Sequence, residues 1–160
     1  MSREFTVVKG ASGWAAGEPT RYLALTGRVL YAAIFLVAAP GHFSAQEIGY
    51  AVHQGVPLAG VAVPLSGIIA LVGGLSVLLG YKTRIGAGLL AIFLVPVTLT
   101  MHNFWAVTDP MMAQIQLAMF LKNLSLLGGA LLLAYFGPGP LSLDAARRPD
   151  LPQGGARKAA

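Results

Sequence analysis

Four long apolar runs, each able to reach across a bilayer, dominate this chain and leave little room for a soluble fold. They cover about residues 22–39, 57–80, 85–103 and 115–136. A helix rising about 1.5 Å per residue needs about 20 residues to cross hydrocarbon, and each run is close to that length. The only Lys, Arg, Asp or Glu residues inside them are Arg28 in the first and Lys122 in the fourth. Composition agrees. Hydrophobic residues make up 56% of the chain and charged ones 11%, where soluble domains carry about 25% charged residues. Too few polar groups remain to clothe a soluble core.

Inside lipid the backbone must satisfy its own hydrogen bonds, so the runs are expected to be helices. The short alternating strands of a membrane barrel do not occur. The expected fold is all-α, an integral membrane four-helix bundle spanning 22–144, with a tail at 1–21 and another at 145–160. Residues 1–20 hold no continuous apolar run and read as a tail, not a cleavable leader. Pro64 and Pro96 fall inside spans and are expected to kink them. Gly67, Gly73, Gly74, Gly86, Gly88 and the pair Gly128-Gly129 are candidates for close helix approach, the last pair breaking up the fourth run.

Charge sets the expected orientation. Arg3, Lys9, Arg21, Lys82, Arg84, Arg147, Arg148, Arg157 and Lys158 all fall in the tails or the second loop. Loops 42–56 and 104–114 contain no Lys or Arg. The positive-inside rule then puts both termini in the cytoplasm. The net charge of +5 is thus explained by the bilayer as partner, and no nucleic acid is expected.

The absence of cysteine removes disulfides, CxxC redox chemistry and thiolate ligands together. No phosphate loop, HExxH motif or convincing nucleophile–base pair is present, so no catalytic residue is assigned. The chain reads as an accessory protein more than as an enzyme acting alone. His42, His53 and His102 share one side with Glu47 and Asp109, but no two histidines stand three or four residues apart. No metal site is expected from that spacing.

Candidate site residues are the polar groups at membrane depth. Lys122 is costly in hydrocarbon, by about 2.5–3.5 kcal/mol at a helix centre, so an inward, ligand-binding role is expected. Asn123 lies about 100° from it around the helix, so both can face the bundle only at its edge. His102 and Asn103 close the third run at a level Lys122 can approach. No span contributes a carboxylate, so Asp109 or a bound anion is left to partner Lys122. Arg28 is expected to snorkel toward the cytoplasmic headgroups.

The stretches Phe120-Leu121-Lys122-Asn123-Leu124, Leu126-Leu127-Gly128-Gly129, Gly137-Pro138-Gly139 and Leu141-Ser142-Leu143-Asp144 resemble the DoxX family. So do Gly73-Gly74, Leu79-Gly80, Thr83-Arg84, His102-Asn103-Phe104-Trp105, Arg28 and Gly55-Val56-Pro57. The resemblance covers roughly 22–144. It implies a multi-pass protein of the bacterial inner membrane, related to a small subunit of a terminal quinol oxidase and thiosulfate:quinone oxidoreductase. An acidic residue frequent in that family before the paired glycines is Ala70 here, and a frequent Lys is replaced by Pro40-Gly41-His42.

Three functional readings follow. The first is an accessory subunit beside another membrane or redox protein, in quinone-linked metabolism or an oxidative-stress complex, with quinone the one cofactor suggested. The second is a carrier or binder of a small lipophilic or anionic ligand in a Lys122 pocket. The third is a structural scaffold.

Overall fold

A computed structural model describes residues 18–147. The expected tails lie almost wholly outside the described residues, as do Arg3, Lys9, Arg148, Arg157 and Lys158. Helices α1 (Glu18–Ala38), α3 (Ala59–Leu79), α4 (Thr83–Met101) and α5 (Pro110–Phe136) are long and apolar enough to cross a membrane. No strand occurs among the described residues. The all-α expectation therefore holds. Pro64 and Pro96 lie within continuous helices.

Two boundaries differ from the sequence reading. The fourth span begins at Pro110 instead of 115, because Asp109 caps it: its carboxylate accepts from the Met112 amide at 2.8 Å. Pro at the first helical position costs nothing, since its missing N–H would be unpaired there anyway. The loop at 42–56 is not irregular. A 3-10 turn (Ala39–Phe43) leads into the short helix α2 (Ala45–His53), capped by Ser44, whose hydroxyl accepts from the Glu47 amide.

The outer surface is rich in large apolar side chains, among them Leu30, Val37, Ile92, Leu121, Leu131 and Leu132. The interior is made largely of small residues, with Ala32, Ala70, Ala87 and Ala130 fully buried. Lipid provides no hydrophobic drive between helices, so close backbone approach must provide the packing. A Cβ at Gly73 would lie 2.8 Å from Leu90 and 3.1 Å from the Gly86 carbonyl, which marks where α3 crosses α4. Gly74 admits Leu36 of α1, and Gly129 admits the Tyr31 ring. Gly88 and Gly128 face open space, and α5 runs unbroken through the 128–129 pair.

Helix α3 packs against α1 and α4, and α4 against α5. Backbone contact between α1 and α5 is slight. Tyr31 bridges them, its hydroxyl donating to the Leu126 carbonyl at 2.8 Å. One end of the bundle carries Arg21, Lys82, Arg84 and Arg147. The other, here the polar end, carries α2, His102 and the exposed Trp105, whose ring meets those of Phe104 and Phe120. Exposed Tyr22, Tyr135 and Phe136 mark the basic end. Aromatic rings at both ends suit the two headgroup layers.

Candidate functional site

Helix α2 sits on the ends of α3 and α4. Its Ile48 and Ala51, three residues apart on one face, pack with Ala59, Val63 and Met101. That seat aims Glu47 and Tyr50 toward the bundle, where they line a cavity of about 230 Å³. The preceding 3-10 turn adds His42, which can lie against α3 because Gly67 has no side chain there. The His42 ring packs on Phe93, with centroids 5.9 Å apart. Its Nδ1 lies 3.1 Å from the Ala38 carbonyl and must carry the proton that bond needs.

The remaining walls come from the slack seam between α1 and α5. Ile34, Phe35 and Ala38 face Lys122, Asn123 and Leu126 across it, and Leu94 and His102 close the α4 side. Tyr31 closes the seam below, toward the basic end. Most of the lining is apolar, and the polar groups gather toward α2.

Those polar groups divide into two sets. One is a bonded chain: His102 Nδ1 meets Gln116 Oε1 at 2.9 Å, Gln116 donates to Tyr50 at 3.2 Å, and Gln54 donates to Tyr50 at 2.7 Å. With Nδ1 donating to Gln116, the neutral His102 ring keeps a lone pair on Nε2. The other set has no such partners. Asn123 is only 5% exposed, yet its amide makes no hydrogen bond within the described residues. Neither Lys122 nor the Glu47 carboxylate forms an ion pair there. None of these three side chains has its polar atoms sealed from the cavity, so each is left to bond to whatever occupies it.

The structure brings Lys122, Asn123 and His102 to one cavity, with Lys122 exposed at its rim and Asn123 inside. It does not bring Asn103, which opens the 3-10 turn Phe104–Ala106 and accepts from the Ala106 amide. Asp109 is occupied as a helix cap, so the carboxylate sharing the cavity with Lys122 is Glu47. His42, Glu47 and Tyr50 were not seen as site residues because hydropathy made 42–56 a loop. A usable signal was present: Ser44 followed by Glu47 is the S-x-x-E pattern that opens helices. Among the described residues, no three of His, Asp and Glu gather as a metal site would require.

Arg28 requires a correction. Its guanidinium is enclosed by protein instead of extending outward; the residue is 2% exposed and donates to the Leu141 carbonyl. The chain beyond α5 folds back over it, and Gly80 leaves the space it fills. The Asp144 amide donates to the Gly80 carbonyl at 2.8 Å. The Asp144 carboxylate accepts from the Lys82 and Thr83 amides at 2.7 and 3.0 Å and so caps α4 from outside the helix. Burial pushes the Asp144 carboxyl up, but the Thr83 and Lys82 bonds and nearby Arg147 outweigh it, and its pKa falls below the ordinary 3.8.

The family matched by the sequence is the SURF4 family, over residues 5–149, and the chain belongs to it. No solved structure matches. This corrects the DoxX resemblance. That resemblance rested on short pieces such as Gly73-Gly74, Gly128-Gly129 and Gly137-Pro138-Gly139. Such pieces serve helix crossings and helix stops, which any compact membrane bundle needs. The quinone-linked role and the bacterial inner membrane came with the resemblance and lose that ground.

Proposed function

We propose that this member of the SURF4 family is a multi-pass membrane protein that binds a small amphipathic molecule in the cavity between α1 and α5. One observation carries the reading: the side chains of Lys122, Asn123 and Glu47 line a largely apolar cavity with no partners among the described residues, whereas Tyr50 and His102 beside them are hydrogen-bonded. Lys122 offers a positive donor, Asn123 both donor and acceptor, and Glu47 a negative acceptor. The head that answers all three pairs an anionic group with a donor or cationic group. A zwitterionic phosphoethanolamine has that pattern. The slack α1–α5 seam supplies an entrance from the bilayer, and the charge asymmetry argues for the basic end in the cytoplasm.

The test is thermal stabilisation of the purified protein by hexyl phosphoethanolamine. Ligand at a hundredfold excess over Kd stabilises the folded state by about 2.7 kcal/mol. Wild type should show that rise, and Lys122→Met and Asn123→Leu should not. Equal stabilisation of all three proteins, or of none, returns the bundle to a scaffold.

A further inference from the structure

A second cavity, of about 380 Å³, lies between α2, α3 and α4. His42, Glu47, Val97 and Met101 line both cavities, so the two adjoin at a wall built on these four side chains. Beyond that wall the second chamber is largely apolar, with Val56, Pro57, Ala62, Val63 and Pro96 around it and only the Ser66 and Thr100 hydroxyls added. Binding sites for drug-sized molecules occupy about 300–1,000 Å³. The first chamber alone falls short of that range, and the two joined lie within it.

Two of the four separating groups can yield. Met101 has an unbranched, adaptable side chain. His42 stands on a 3-10 turn, held by the bond to Ala38 and by contact with Gly67 and Phe93. Of the polar groups lining the two chambers, those without partners lie in the first chamber and the wall, whereas Ser66 and Thr100 of the second donate to the Val63 and Pro96 carbonyls.

We infer that the ligand is a single-chain lipid, with its zwitterionic head at Lys122, Asn123 and Glu47 and its acyl chain running past Val97 and Met101 into the second chamber. This rests on the reading that the first cavity is a ligand site, and it adds the ligand's class and the place of its chain. Polarity runs in the required order, charged at the α1–α5 rim and hydrocarbon-lined beyond the wall. A chain left in the surrounding bilayer would need no second chamber.

The experiment uses the full chain in nanodiscs and palmitoyl lysophosphatidylethanolamine with a photoreactive diazirine at the end of its acyl chain. Mass spectrometry then maps the labelled residues. Labelling is expected within 56–66 and 96–101, and is expected to be lost in both Ala62→Phe and Thr100→Phe, which fill the second chamber from α3 and α4. Thr100 is exposed, so its replacement spares the core if Ala62→Phe does not fold. Lys122-dependent labelling confined to the outward-facing Leu30, Val37 or Leu121 would overturn the inference and leave the head site standing. Labelling unaffected by Lys122→Met would remove the head site itself, and the inference with it.

Discussion

Lys122 and Asn123 are chain neighbours, and the one step of about 100° between them decides their surroundings. Asn123 turns into the bundle, while Lys122 stops at the cavity rim. Both were legible in the sequence because polar residues stand out in an apolar run. Arg28 was equally conspicuous, but its environment was not: the carbonyl it meets belongs to Leu141, more than a hundred residues away. A snorkelling arginine would tolerate lysine. Here the donor position is fixed, so Arg28→Lys should destabilise the detergent-solubilised protein by about 1–3 kcal/mol, read as a lowered Tm. An unchanged Tm would return Arg28 to the headgroups. Gly80 is the complementary case. It has φ of +66°, and a Cβ there would fall on Arg28 and Ser142. Gly80→Ala is expected to cost more than the about 1 kcal/mol of the left-handed backbone alone.

Among the elements, the four spans were readable from hydropathy because lipid imposes a length and an apolar surface on each. Helix α2 was not, because nine residues with Gln46, Glu47, Gly49 and His53 do not stand out against a loop. Its consequence for the site is large, since it delivers Glu47 and Tyr50. Ser44→Ala should remove its cap at a cost of about 1 kcal/mol, with loss of ligand stabilisation exceeding the loss of fold stability. The short helix α6 (Leu143–Ala146) carries Asp144 onto the α4 N-terminus. A carboxyl with a folded pKa below its unfolded 3.8 contributes stability that is complete above 3.8 and lost as pH falls through the lowered value. Thermal scans should therefore show an Asp144→Asn difference that is constant from neutral pH to about 4, shrinks below it and is gone once the pH is under the lowered folded pKa. A difference that instead grows on acidification would contradict the capping role.

At the scale of the whole molecule, four spans return the chain to the side from which it started, so one orientation governs everything else. Reporter fusions within 82–84 and after Leu143 should give cytoplasmic signals, and fusions within 47–53 or 106–112 external ones. The architecture was legible because helix number and length follow from the bilayer. The cavity was not, since it depends on which pair of helices fails to close. Small residues seat α3 against α1 and α4, whereas α1 meets α5 through Tyr31, whose ring lies on Gly129 and whose hydroxyl donates to the Leu126 carbonyl. Nothing in a periodic apolar pattern announces that difference. The most direct test of the central claim is native mass spectrometry of the protein released from its own membranes. Wild type should carry one retained amphiphile with a zwitterionic head, and Lys122→Met and Asn123→Leu should emerge without it at comparable yield. The same adduct on all three proteins would contradict the account.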